Sequence, residues 1–269
     1  MKKLLPLICS FSLLFSLKES PWMGELFEFH FKPYYWLQHY PDVNNGVNPT
    51  GYSSTDNFLG SDLSVRFLPD WEALFEAEWN TTKQHNMRFL STALQVRSMV
   101  MDDIEGDPIS FLWLGTLRYV PVHALRDVST PYSGRINVEL GASIGKEVDI
   151  GNAWSQEFWG YGYVGQANRG WPWIRGALNY RAEYLHSHSF GLQCGGFWGF
   201  GRDKPVNIGN FDGWGRFAHQ SIDLEFIYGY RFPVWGQLTA SYTRRLMAKN
   251  YPEENNIFYI SYNLPFALF

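Results

Sequence analysis

The sequence predicts an all-β fold: a closed antiparallel transmembrane barrel of about twelve strands, with ten as the second choice. Three observations predict it. Apolar and polar residues alternate at a spacing of two through segment after segment, the mark of strands with two different faces. The last segment does this most clearly: Phe258, Ile260, Tyr262, Leu264, Phe266 and Leu268 form one stripe, and the chain stops on Phe269. With nothing after it to pack on, that strand must pair with an earlier one, and closure on the first strand is the natural solution. Second, 12 Trp, 16 Tyr and 21 Phe are more aromatic residues than a soluble core needs, whereas membrane barrels place them in girdles at both interfaces. Third, the connections between segments alternate between long and short, as in barrels with short turns at one end and loops at the other.

The segments follow in order. Glu25–Leu37 sets Phe27, Phe29 and Phe31 against Glu28, His30 and Lys32, and the polar stretch His39–Leu59 follows as a loop. Ser61–Phe67 sets Leu63, Val65 and Phe67 against Asp62, Ser64 and Arg66. Trp71–Asn80 is among the cleanest, with Trp71, Ala73, Phe75, Ala77 and Trp79 opposed to Glu72, Glu76 and Glu78. Met87–Ser98 is weaker, and Ile109–Tyr119 places Phe111, Trp113, Leu117 and Tyr119 together. Arg135–Val148 alternates Ile136, Val138, Leu140, Ala142 and Ile144 with Arg135, Asn137, Glu139 and Ser143. Glu157–Asn168 carries Trp159, Tyr161 and Tyr163 as its apolar face. Trp173–Leu185, Phe190–Gly201, His219–Phe232, Gln237–Met247 and Ile257–Phe269 complete the set.

If the first strand runs outward, the outer connections are His39–Leu59, Thr81–Asn86, Pro121–Ser133, Arg169–Pro172, Arg202–Ala218 and Ala248–Asn256. The three longest all fall on that side.

Residues 1–20 are expected to be a signal peptide and 21–269 the barrel domain. Lys2 and Lys3 precede the apolar run Leu4–Leu17, which is shorter than a membrane helix of ~20 residues. The alternative is an uncleaved interfacial anchor. Without residues 1–20 (Lys2, Lys3, Lys18 and Glu19) the 22 basic and 26 acidic residues fall to 19 and 25. No basic patch emerges, so nucleic acid is not an expected partner. Cys194 is then the single cysteine, which excludes an intrachain disulfide.

With its leader, alternating strands and terminal Phe269, the chain resembles bacterial outer-membrane β-barrel proteins. The resemblance implies residence in the outer membrane among its lipids, with Phe269 as the signal read by the barrel-assembly machinery. It also implies a polar face turned to the lumen. One departure stands out: Pro265, Asn263 and Ser261 sit in phase with Phe269, so the apolar stripe is one residue off.

The expected lumen-lining set is the mixed-charge face: Arg66, Glu72, Glu76, Arg97, Arg118, Arg135, Glu139, Arg175, Arg181, Glu183, Asp223, Glu225 and Arg231. It reads either as a solute-selecting wall or as paired charges filling a closed barrel. Neither sign dominates, so no strong ion selectivity is expected. Channel activity toward small solutes is the leading function. The first rival is a lipid hydrolase. His219-Gln220-Ser221 resembles the His-x-Ser pair of outer-membrane phospholipases and lipid A deacylases, with Asp223 or Glu225 to orient the imidazole. The second is an adhesion barrel acting through His39–Leu59 and Arg202–Ala218. His186 and His188 form a lone H-x-H pair read as turn residues rather than metal ligands. No cofactor is expected.

Overall fold

The computed structural model describes residues 19–267. Phe269 and residues 1–18 of the expected leader lie outside them. The twelve barrel strands are β1 (Phe29–Tyr40), β2 (Ser54–Leu68), β3 (Trp71–Thr81), β4 (Arg88–Met101), β5 (Ser110–Tyr119) and β6 (Ile136–Ile150), then β7 (Trp154–Ala167), β8 (Trp173–Tyr184), β9 (His188–Gly199), β10 (Gln220–Phe232), β11 (Gly236–Lys249) and β12 (Asn256–Phe266). Each pairs antiparallel with its neighbour in sequence, and β12 closes on β1 from Phe29↔Phe266 to His39↔Asn256. Closure leaves no row of unpaired backbone groups, so a sheet with an apolar outer surface can exist in lipid.

The two faces separate as the alternation requires. On β3, Phe75 is 51% exposed on the outer wall while its neighbour Glu76 is fully buried inside. The same contrast holds for Leu63 beside Asp62 and Leu140 beside Glu139. The apolar stripe therefore points out and the polar face points in. A soluble barrel would bury them the other way round.

Two expectations are corrected. His39–Leu59 is not all loop: β1 runs to Tyr40 and β2 starts at Ser54, leaving 41–53 as the connection. The outward residues of the added stretch, Thr55 and Asn57, are polar, and this hid the alternation. Trp159, Tyr161 and Tyr163 do not join the outer stripe: Trp159 packs inside against the cluster that holds the two tyrosines. The tyrosines are buried in the lumen, where Tyr163 stacks under the Arg175 guanidinium at 4.0 Å. On β7 the outward positions are Phe158, Gly160, Gly162 and Val164. Its inward aromatics outnumber its inward charges, which reverses the apparent polarity of the strand.

At the lower rim, where the described ends of the chain lie, the turns are short. At the upper rim the loops fold over the barrel mouth. Val206–Asn207 pairs with Gly46–Val47, and Pro252–Glu253 pairs with Asp42–Val43. Trp214 is fully buried at the centre of this cap, its Nε1 donating to the Thr130 carbonyl at 2.7 Å. Val43, Tyr52, Val128, Phe211, Phe217 and Tyr251 pack with it. A short helix, α1 (Val122–Leu125), buries Ala124 and Leu125 against Trp36 and Phe58. The upper loops thus have a hydrophobic core of their own.

Candidate functional site

The candidate site is the lumen. Strand register builds its charge pattern by setting inward residues of adjacent strands opposite each other. Lys32 on β1 faces Asp62 on β2, 2.8 Å away. Glu72 on β3 faces Arg97 on β4, and the two form an ion pair. Glu157 on β7 pairs with Arg181 on β8 at 2.5 Å, and Asp223 on β10 with Arg245 on β11 at 2.7 Å. Longer side chains skip a strand. Arg118 on β5 reaches Glu76 at 2.5 Å and Glu78 at 3.2 Å on β3. Arg175 on β8 grips both oxygens of Glu139 on β6, Nε to Oε1 and Nη2 to Oε2, each at 2.9 Å. A bidentate guanidinium–carboxylate contact holds both groups rigidly. Gly165 makes room for the next layer, since a Cβ there would fall 2.1 Å from the Trp173 indole. That indole donates to Glu139 Oε1 at 2.8 Å.

The segment before β1 enters the lumen from the lower rim. Glu19 pairs with Arg175 through Nη1, and the Ser143 hydroxyl donates to the Glu19 carbonyl at 2.7 Å. Arg97 Nη2 donates to the carbonyls of Ser20 and Trp22, and the Trp22 indole donates to Asp103 at 2.9 Å. The expected leader therefore overlaps the described chain at Glu19 and Ser20, both bonded inside the barrel. Asp103, in the lower-rim turn, is half-buried, which opposes its charge, but hydrogen bonds from Ser110, the Glu147 amide and Trp22 hold its carboxyl below the usual range. Between the ion pairs and the cap lie two cavities of about 20 Å³ each. Each suits a single water molecule.

Of the expected lumen residues, Glu72, Glu76, Arg97, Arg118, Glu139, Arg175, Asp223 and Glu225 are buried in it, and Arg181 is partly buried. Glu183 points the same way as Arg181 and is partly buried toward the lower rim, whereas Arg66, Arg135 and Arg231 are not in the lumen. Arg66 sits at the lower-rim turn and binds the Pro69 and Gly24 carbonyls. Arg135 is exposed just above β6 at the upper rim. Arg231 is exposed at the lower end of β10, 3.4 Å from Glu183. Alternation alone cannot tell the middle of a strand from its ends, where inward parity no longer means burial. Missed were Glu19, Lys32, Asp56, Asp62, Glu78, Glu157 and Arg245. Asp62 and Glu78 lie in phase with Arg66 and with Glu72 and Glu76, and Lys32 lies on the polar face of its segment, so extending those faces finds them. Glu157 is masked by Trp159, Tyr161 and Tyr163 on its own face, Asp56 lies in the stretch that reads as loop, and Arg245 lies in Gln237–Met247, where the sequence assigns no face.

His219 is buried in the cap, caged by Phe197 at 4.5 Å, Trp214 at 5.5 Å and Tyr251 at 5.5 Å between ring centroids. Its Nδ1 donates to the Phe217 carbonyl at 3.0 Å. Burial pushes its pKa down to about 4. Ser221 lies below, its hydroxyl 3.5 Å from an Asp223 carboxylate that Arg245 already grips. Among the described residues no hydrogen bond joins His219 to Ser221. His186 is exposed in a lower-rim turn, 3.6 Å from Glu183, while His188 bonds the Tyr228 hydroxyl at 2.9 Å, so the two rings engage different partners.

No known family model matches the chain, and no curated protein matches it in sequence. Solved structures do. An outer-membrane channel from Pseudomonas putida F1 is 14% identical, with a TM-score of 0.65 over 95% of this chain and 100% of that one. The NanC porin is 9% identical, with a TM-score of 0.55 over 87% of this chain and 98% of that one. At such identities the likeness is one of fold alone, and the fold of this chain is that of bacterial outer-membrane β-barrels of the channel and porin kind.

Proposed function

We propose that the protein is an outer-membrane channel for small solutes. The observation that carries this reading is a closed barrel with its apolar face outward and a lumen lined by charged side chains of both signs. In the bilayer the outward face meets lipid, and the inward charges keep their partners and water. The upper rim, with its long loops, faces outside the cell, and the lower rim faces the periplasm. Outward aromatics near strand ends, among them Trp71, Trp79 and Trp154, form the interfacial girdle. The leader is cut before Glu19, because Glu19 and Ser20 have partners inside the barrel. Phe269 engages the barrel-assembly machinery.

Passage requires the cap to give way, since its loops close over the mouth. The channel is expected to show brief openings rather than a steady conductance. Planar-bilayer recording of the purified protein tests the reading, and a preparation that never carries current above the bare bilayer sinks it. The hydrolase reading is weaker, because the His219 ring is packed among aromatic rings and, among the described residues, shares no hydrogen bond with Ser221. Ser221→Ala is expected to leave the current unchanged; a Ser221-dependent loss of phospholipid hydrolysis would restore the rival.

A further inference from the structure

The strand register sorts the lumen charges unevenly. Among the described residues, the six cations Lys32, Arg97, Arg118, Arg175, Arg181 and Arg245 face eight carboxylates, because Arg118 is shared by Glu76 and Glu78 and Arg175 by Glu139 and Glu19. Among the described residues, two further carboxylates in the buried part of the lumen meet no cation. Glu225, in the middle of β10, is opposed by Gln193 on one side and Thr243 on the other. Its oxygens take hydrogen bonds from Gln193 Nε2 at 3.2 Å and from the Ser241 hydroxyl. Asp56, fully buried near the upper end of β2, is opposed by Gln38, whose Nε2 donates to it at 2.8 Å, and takes a second bond from the Ser54 hydroxyl. No Lys, Arg or His side chain of the described residues lies within ion-pair distance of either.

The near balance expected from sequence is therefore not the balance inside the barrel. Arg66, Arg135 and Arg231 leave the lumen for the rims and Lys32 and Arg245 enter it, while five carboxylates, Asp56, Asp62, Glu78, Glu157 and Glu19, enter. A carboxylate held only by neutral donors away from bulk water lacks compensation for its lost hydration, and a passing cation supplies it. An anion at the same place meets repulsion in a medium that screens poorly.

We infer that the lumen passes small cations in preference to anions, with Glu225 as the selectivity-determining carboxylate in mid-barrel and Asp56 as a second station beneath the cap. This rests on the channel reading and names its solute class. Gln193 and Ser241 position Glu225 but carry no charge, so the preference follows the carboxylate alone.

The test is the reversal potential of the full-length protein in a planar bilayer under a KCl gradient, repeated for Glu225→Gln and Asp56→Asn. Wild type is expected to favour K⁺ over Cl⁻ by roughly threefold or more, threefold being the lower limit that one unit charge several ångström away sets even with the full screening of bulk water. Glu225→Gln, which keeps the shape and leaves one oxygen to accept from Ser241 or Gln193, should bring the ratio most of the way to one. Asp56→Asn should lower it less. A current with no cation preference overturns the inference and leaves the channel reading standing. So does a preference that survives Glu225→Gln intact. A protein that carries no current removes both. Heat-modifiability of the variants on gels confirms that they fold, and wild type alone decides the sign.

Discussion

Buried charge dominates at the level of single residues. Arg175 is fully buried and serves the Glu139 and Glu19 carboxylates at once. Removing one partner of such a group strands the others without water, which costs far more than the pair itself contributes. Arg175→Met is expected to destabilise the barrel by about 3–5 kcal/mol. The check is the temperature at which the folded, fast-migrating band is lost on a gel, with Arg66→Met as the rim control expected to change little. His85 gives a pH-dependent case outside the strands. The Asp127 carboxylate beside it raises the imidazole above its usual range, against the opposing effects of burial and of Arg88. The Nε2–Oδ2 distance is 3.3 Å. A raised folded-state pKa means this stabilisation is fully present below the unfolded value of about 6.5 and is lost as pH rises through the folded value. The contact between the loop 82–87 and the cap should loosen on going from acid to alkaline pH. Channel openings counted against pH should rise over that window in wild type and stay flat in His85→Asn.

At the scale of the element, each strand carries two opposed demands, and a single residue step exchanges them. Leu140 on β6 is 68% exposed on the outer wall. Leu140→Lys is expected to cost about 2–4 kcal/mol in a bilayer, where a cation at mid-depth has no partner. Measured by refolding into lipid vesicles, an effect near zero would mean the outer wall does not meet lipid. Strand β7 shows how a local reading fails. Its inward Tyr161 and Tyr163 are apolar in pattern yet serve the lumen, one of them under Arg175. Aromatic rings stack on guanidinium groups as readily as they meet lipid, so composition alone could not place them. Gly165 opposite Trp173 on β8 has the same origin: an indole lies across the strand where a side chain would stand. Gly165→Leu should displace Trp173 from Glu139 and lower stability by roughly 1–3 kcal/mol, read on the same gel.

For the molecule as a whole, the barrel is closed at three levels. The cap has its own apolar core around Trp214, the mid-lumen is bridged by ion pairs, and Glu19–Trp22 enters from below. The cap depends on the barrel for position, but the barrel's ladders are complete without it. Deleting 204–216 is therefore expected to leave heat-modifiability intact and to lengthen channel openings several-fold. If the deletion unfolds the protein, the cap core is part of the barrel's stability rather than a cover upon it.

By itself the sequence determined the fold class, put the strand count at about twelve, and identified the two faces on most strands though not on β7. Those rest on the period of two, which is a local property of each strand and repeats along the whole chain. Glu76 and Phe75 are as legible in the sequence as in the structure. Only the tertiary structure decided which inward residues reach the middle of the lumen and which stop at a rim, as Arg135 and Arg231 do. It also decided that Glu19 returns into the barrel, that the upper loops share a core, and that Glu225 faces Gln193 and Thr243 instead of an arginine. The physical reason is register. Alternation says which way a side chain points, but the residue it meets is set by how far each strand slides against the next, and that offset is fixed only when the last strand closes on the first.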